Sequence, residues 1–136
     1  MMTPRAAGVT DAFIRAISER FGDACDMSEA CRRQHGVSET HFDEMPADMV
    51  VFATSTQDVA DCVAICRDHK VPIVPFGAGT SIEGNALPVR GGVSLDLSRM
   101  DRILRVGAED FDCTVQAGVR REELNAHLRD TGLFFP

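Results

Sequence analysis

Apolar residues recur at helical spacing near the start of the chain. The spacing of three to four positions joins Phe13, Ile14, Ile17 and Phe21, and this is typical of one face of an amphipathic helix. Thr10 stands where an N-cap is needed, and Gly22 stands where a helix commonly ends. The pattern predicts a helix from Thr10 to Phe21.

A polar stretch from Asp23 to Asp48 follows and has no regular apolar period. We predict irregular structure there, with one helical turn around Ser28 to Arg33. The stretch contains two possible pairs of zinc ligands, Cys25 with Cys31 and His35 with His41. Five residues separate the members of each pair, which is longer than the usual ligand loops. We therefore expect no metal site, and we interpret these side chains as partly buried thiols and solvated histidines.

Two short apolar runs with a helical pattern between them predict a βαβ unit. Met49 to Ala53 is a continuous apolar run, typical of a strand covered on both faces. Thr54 to Thr56 supplies the N-cap of a helix that places Cys62 and Cys66 on its apolar face and stops near Lys70. Val71 to Val74 is predicted as the second buried strand. Such a unit forms a parallel pair, and ligands bind beyond the carboxyl ends of its strands.

The last part of the chain has a different pattern. Three short apolar segments separated by turn residues predict antiparallel strands: Val93 to Leu97, Ile103 to Val106 and Cys113 to Ala117. Arg120 to Thr131 is predicted as a helix that ends at Gly132. The predicted fold class is α/β (α+β), a small parallel βαβ subdomain followed by antiparallel strands.

Composition limits the function classes. The chain has 136 residues, 44% of them hydrophobic and 26% charged, which suits one folded unit with its own core. The net charge of −7 argues against nucleic-acid binding. The five cysteines favour reduced thiols, and Met1 to Thr10 carries no secretory signal, so we expect a cytoplasmic protein. The abrupt apolar end at Leu133 to Pro136 predicts that the chain is truncated at its C-terminus.

The segment between the second and third strands is rich in glycine. It reads Pro75-Phe76-Gly77-Ala78-Gly79-Thr80-Ser81-Ile82-Glu83-Gly84-Asn85, and such a loop exposes backbone amides to an anion. It has no lysine, unlike a P-loop, and it has Ile82 where a Rossmann fingerprint needs a third glycine. Asp96 lies nineteen residues beyond Gly77 and imitates the acidic residue of that fingerprint, but spacing alone is weak support. Composition leaves a diphosphate loop and a plain glycine-rich turn both open.

The same eleven residues resemble the pyrophosphate loop of the FAD-binding domain shared by vanillyl-alcohol oxidase, p-cresol methylhydroxylase and the FAD-linked D-lactate and glycolate dehydrogenases. Further segments are similar to that family in the same order: 48–59, 95–103, 115–119 and 125–136. The resemblance is strongest to the D-lactate dehydrogenase branch. It implies a partial PCMH-type FAD-binding domain at 42–136, preceded by a helical and irregular extension at 1–41.

The resemblance also implies a cofactor site. FAD would be held by Pro75, Phe76, Gly77, Ala78, Gly79, Thr80, Ser81, Gly84 and Asn85. The amides of Phe76 to Ser81 would hold the diphosphate, with Gly84 and Asn85 close to the cofactor. Asn85 stands where some relatives carry histidine, so non-covalent FAD is expected.

In the family, a D-2-hydroxy acid such as D-lactate, or the achiral 2-hydroxy acid glycolate, is oxidised to the 2-oxo acid, with hydride transfer to FAD and electrons passing to a quinone, a cytochrome or an electron-transfer flavoprotein. The resemblance assigns no catalytic residue to this chain, because the family's base comes largely from later domains, so the chain alone is expected to be inactive. A peripheral position on the inner face of the membrane and a homo-oligomer both stay open. The alternative is a non-catalytic FAD-domain piece that acts as a binding or interaction module.

Overall fold

The computed structural model describes residues 6–136. Its helices are α1 (Asp11–Phe21), α2 (Glu29–Gln34), α3 (Thr56–His69) and α4 (Arg121–Leu128). Its strands are β1 (Cys25–Asp26), β2 (Met49–Phe52), β3 (Ile73–Phe76), β4 (Val93–Asp96), β5 (Ile103–Gly107) and β6 (Asp112–Val115). The segment Met1 to Thr10, in which the sequence predicts no secretory signal, is described only from residue 6 onward. Within residues 6–136, no helix has both the length and the apolar character to cross a bilayer.

Four strands form one sheet in the order β1-β2-β4-β3. β4 runs parallel to both β2 and β3, whereas β1 runs antiparallel to β2. β5 and β6 form a separate antiparallel hairpin. The predicted class, a parallel sheet followed by antiparallel strands, is confirmed for these elements.

The prediction that β4 is antiparallel is wrong, and so is the direct pairing expected between the two strands of the βαβ unit. β4 lies between β2 and β3, and all four of its residues are buried. Because polar Ser94 and Asp96 alternate with apolar residues, the sequence of β4 is typical of a strand with one solvent-exposed face. That second face is covered as well, so the polar residues are buried instead of solvated.

The position of β3 also differs from the prediction. The strand begins at Ile73 and is an edge strand that is only partly buried. An edge suits Pro75, which has no N–H to donate to a second neighbour. Val71 lies before the strand, where its N–H donates to the Cys66 carbonyl at 2.8 Å after Lys70 adopts a left-handed conformation.

The main core lies between one face of the sheet and helices α1 and α3. It includes Phe13, Ile17, Met49, Val51, Cys62, Cys66, Val93 and Leu95. The predicted caps are confirmed, since the Thr10 hydroxyl accepts from the N–H of Phe13 and the Ser55 hydroxyl accepts from the N–H of Asp58. Cys62 and Cys66 are buried core residues, as predicted.

The polar stretch after α1 covers the opposite face of the sheet. Its one predicted helical turn is confirmed as α2, whose N-cap is Ser28. Its short strand β1 was not predicted, because two residues carry no periodic signal. The predicted domain boundary after residue 41 stays a prediction. Near the C-terminus, α4 continues as a 3₁₀ turn at Arg129–Thr131, and Gly132 ends it with φ 75° as predicted.

Candidate functional site

The carboxyl ends of three parallel strands meet at one edge of the sheet. The last residues of β2, β4 and β3 are Phe52, Asp96 and Phe76, and they are direct neighbours in the strand register. The glycine-rich loop leaves β3 at this edge. Because open parallel sheets bind ligands beyond these ends, the fold brings the loop to the expected position.

The loop exposes a run of backbone amides. Within residues 6–136, the N–H groups of Gly77, Ala78, Gly79, Thr80 and Ser81 make no hydrogen bond to protein. Gly79 has φ 69° and Gly84 has φ 72°, a region that L side chains rarely adopt. Unpaired amides in such a loop are suited to an anion.

Seven of the nine predicted site residues line one groove of about 270 Å³: Pro75, Gly77, Ala78, Gly79, Thr80, Ser81 and Asn85. Phe76 and Gly84 do not line it. The Phe76 ring lies beneath Gly79, since a Cβ atom on Gly79 would be 2.7 Å from Phe76 Cζ. Gly84 lies against Phe42, whose ring would be 2.7 Å from a Cβ atom at that position.

A second groove of about 440 Å³ adjoins the first and shares Gly77 and Ala78 with it. Its other side is formed by the segment after β4 and the start of α4, including Asp101 and Glu123. Glu123 pairs with Arg120 at 2.9 Å. All five residues whose amides are unpaired within the described chain, Gly77 to Ser81, line the first groove, whereas only Gly77 and Ala78 line the second. The first groove therefore suits a diphosphate better than the second.

A sequence model of the FAD binding domain family matches residues 47–136. The chain belongs to this family. FAD is therefore the cofactor of this domain, and the resemblance found in the sequence is confirmed.

Two curated relatives are D-lactate dehydrogenases. A probable mitochondrial D-lactate dehydrogenase of Danio rerio is 42% identical over 114 residues, which are 84% of this chain and 23% of that protein. The mitochondrial D-lactate dehydrogenase (cytochrome) of Arabidopsis thaliana is 42% identical over 104 residues, which are 75% of this chain and 18% of that protein. The chain thus spans less than a quarter of the length of these relatives.

A solved structure gives the same fold. p-Cresol methylhydroxylase with substrate bound superposes with a TM-score of 0.81 at 25% identity, over 95% of this chain and 27% of that one. The match extends well before residue 47, where the family model begins. The segment preceding the FAD-binding domain match therefore shares in the common fold.

The residues of the groove fit a diphosphate. The amides are unpaired within the described part of the chain, and Gly77, Ala78 and Thr80 are exposed. Hydrogen bonds from backbone N–H to a charged oxygen are stronger than neutral ones. Thr80 and Ser81 add hydroxyl donors to this FAD-binding domain.

Beneath the loop lies a buried pair that was not predicted. His35 Nε2 is 2.8 Å from Asp96 Oδ2, and only 3% of His35 and 4% of Asp96 is exposed. The interpretation of His35 as a solvated histidine is wrong. Asp96 also accepts from the N–H of Ser98 at 2.7 Å, so it is unavailable to a ribose hydroxyl.

The pair supports a charged histidine. Burial acts to lower the pKa of His35, but hydrogen bonds to Asp96 and the Cys31 carbonyl outweigh it and leave that pKa above its ordinary value. Burial acts to raise the pKa of Asp96, but hydrogen bonds from His35 and Ser98 leave it below its ordinary value. Opposite charges stabilise each other here.

Cys31 lies beside this pair, and its surroundings favour the protonated thiol. Its Sγ is 3.9 Å from His35 Nδ1. Burial, followed by the charge of Asp26, raises the pKa of the Cys31 thiol to about 11. Since the thiolate is the reactive form, this upward shift of the pKa disfavours the reactive form of Cys31 at neutral pH.

Proposed function

We propose that this chain supplies the diphosphate-binding part of an FAD site in a dehydrogenase that oxidises D-2-hydroxy acids. The observation that carries the proposal is the run of unpaired amides from Gly77 to Ser81 at the carboxyl edge of a parallel sheet. Those amides, with the hydroxyls of Thr80 and Ser81, donate hydrogen bonds to the diphosphate. Pro75 and Asn85 border the same groove, and Phe76 and Gly84 support the loop from outside it.

FAD supplies the hydride acceptor when it is bound, while the protein orients it. We propose that FAD is held non-covalently, because Asn85 offers neither an imidazole nor a phenol for attachment to the flavin. Acid precipitation of the holoprotein is expected to release all flavin into the supernatant. Flavin that stays with the denatured protein would contradict this.

D-Lactate is the proposed substrate, with glycolate as the smaller alternative. The support is that two relatives are named D-lactate dehydrogenases. One of them is named for a cytochrome, so a cytochrome is the first electron acceptor to test, before a quinone or an electron-transfer flavoprotein. For the location we propose the cytoplasm, with peripheral contact to the inner face of the membrane, on the ground that all five cysteines are free thiols, which suits a reducing compartment. The two relatives are named as mitochondrial proteins, so the mitochondrion is the alternative location to test.

Binding can be tested residue by residue with the ¹⁵N-labelled chain. FAD, ADP and riboflavin are added separately to millimolar concentration, and amide shifts are recorded. FAD and ADP are expected to shift the amides of Gly77 to Ser81, and riboflavin, which has no phosphate, is expected to leave them unchanged. Riboflavin shifts as large as those of ADP, or FAD shifts confined to other segments, would refute diphosphate binding by the loop.

Activity needs a separate assay. The tagged chain is recovered from the organism that encodes it, together with its bound partners, and cytochrome c reduction is followed with D-lactate, L-lactate and glycolate. We expect the D-enantiomer to be preferred over L-lactate. Equal rates with both enantiomers would contradict the proposed substrate class, and turnover by the isolated 136-residue chain would contradict its expected inactivity.

A further inference from the structure

We propose that His35 is a positioning residue for the glycine-rich loop. Anchored by Asp96, it supports the Phe76 ring, and the Gly79 turn rests on that ring. The consequence for cofactor affinity rests on the proposed function, but the effect on the loop does not.

The argument begins with the row of residues at the carboxyl edge of the sheet. Phe52 and Phe76 flank Asp96 in the register of three parallel strands, so all three side chains project from the same face. His35 covers this row from the polar stretch that follows α1. Its ring centroid is 4.3 Å from that of Phe76 and 5.8 Å from that of Phe52.

Hydrogen bonds hold the His35 ring at both nitrogens. Nδ1 lies 2.9 Å from the Cys31 carbonyl, and Nε2 lies 2.8 Å from Asp96 Oδ2. A carbonyl and a carboxylate are both acceptors, so each ring nitrogen donates a proton and the ring is an imidazolium. With two opposed anchors, the ring has a single orientation. It is therefore a fixed surface against which Phe76 packs.

Phe76 passes this constraint to the loop. Its ring occupies the space into which a side chain at Gly79 would project, because a Cβ atom there would be 2.7 Å from Cζ and 3.2 Å from Cε2. Gly79 is the residue with φ 69° in the middle of the run of unpaired amides. Displacement of the Phe76 ring would remove the support under this turn.

The same N-terminal segment touches the loop at a second point. Phe42 lies against Gly84, the other loop glycine with positive φ near the groove. The loop is thus supported at both of its glycine turns by residues 35–42. Only the His35 contact is anchored by a buried ion pair.

The test compares the two aromatic residues that flank Asp96, of which Phe76 lies 4.3 Å and Phe52 5.8 Å from the His35 ring. Phe76→Leu and Phe52→Leu each remove a ring that packs on His35 beside Asp96, but only Phe76 contacts Gly79. A third protein, His35→Leu with Asp96→Asn, removes the anchor without leaving a buried charge unpaired, which protects the fold. Far-UV circular dichroism and urea unfolding confirm that each variant is folded.

The main measurement is the heteronuclear NOE of the amides of Gly77 to Ser81 in the free ¹⁵N-labelled chain. We expect lower values in Phe76→Leu and in the double variant, and wild-type values in Phe52→Leu. FAD affinity should fall about two- to tenfold in Phe76→Leu and in the double variant, the range expected for loss of one aromatic contact. Equal loop NOE values in all four proteins, or the same loss in Phe52→Leu as in Phe76→Leu, would overturn the proposal. A selective loss of loop order in the variants, together with no shift of the wild-type Gly77 to Ser81 amides by millimolar FAD or ADP, would support the positioning role and refute diphosphate binding by the loop.

Discussion

Replacement of Gly79 by alanine tests the loop directly. Gly79 has φ 69°, and an added Cβ would lie 2.7 Å from the Phe76 ring. Gly132 is a matched control, because it has φ 75° but its added Cβ would meet nothing within 4 Å. Both substitutions place an L side chain in the left-handed region, whereas only one also disturbs the loop.

The expected magnitudes follow from this difference. The left-handed conformation costs about 1–2 kcal/mol for a residue with a Cβ, so both variants should lose about that much free energy of unfolding. The contact at Gly79 adds overpacking of about 1–3 kcal/mol unless the backbone moves. Since the loop is exposed at Gly77, Ala78 and Thr80, movement costs less than compression. We expect Gly79→Ala to displace the amides and only Gly79→Ala to weaken FAD binding.

Loss of one amide hydrogen bond to a charged oxygen costs about 1.5–3 kcal/mol, or roughly a ten- to 150-fold loss of affinity. The assay combines urea unfolding followed by circular dichroism with titration of FAD. If Gly79→Ala bound FAD as Gly132→Ala does, while both lost equal stability, the reasoning that ties Gly79 to the diphosphate would be refuted.

Three further predictions follow from single contacts. In urea unfolding, the free energy by which wild type exceeds His35→Leu/Asp96→Asn should be largest between about pH 4 and 6.5. The pKa of His35 is raised above 6.5 in the folded protein, so the stabilisation from charged His35 is lost as the pH rises through that raised value. The pKa of Asp96 is lowered below 3.8, so the stabilisation from its carboxylate is lost as the pH falls through that lowered value. A pH-independent difference would contradict this. Gly77→Ala, whose Cβ would meet nothing within 4 Å, should change the free energy of unfolding by less than about 0.5 kcal/mol yet reduce the amide shifts caused by ADP; unchanged shifts would contradict a ligand in the groove. Ser55→Ala should cost about 1 kcal/mol of unfolding free energy through loss of the α3 cap, and a Ser38→Ala control, in which no helix cap is lost, should cost less.

Local signals were enough to predict the two helices that build the core. α1 and α3 combine an apolar period with a capping hydroxyl. The cap of α1 is Thr10, as predicted, and the cap of α3 is Ser55, the middle residue of the predicted range Thr54 to Thr56. The loop could be predicted as well, because its glycines stand next to a strand. Strand order could not, since the position of β4 depends on what covers its second face.

The pairing of His35 with Asp96 could not be predicted either, because it also depends on what covers the second face of the sheet. The partner of His35 is 61 positions away, and no local period connects a histidine in a polar stretch with a carboxylate in a strand. One signal was nevertheless present at Asp96, which stands in the apolar run Val93 to Leu97. A carboxylate in a buried strand needs a partner, because an unpaired buried charge is strongly destabilising. The partner should be sought among the basic residues of segments that have no predicted secondary structure, and His35 is such a residue. A polar stretch before a parallel sheet can therefore be the cover of the sheet's second face.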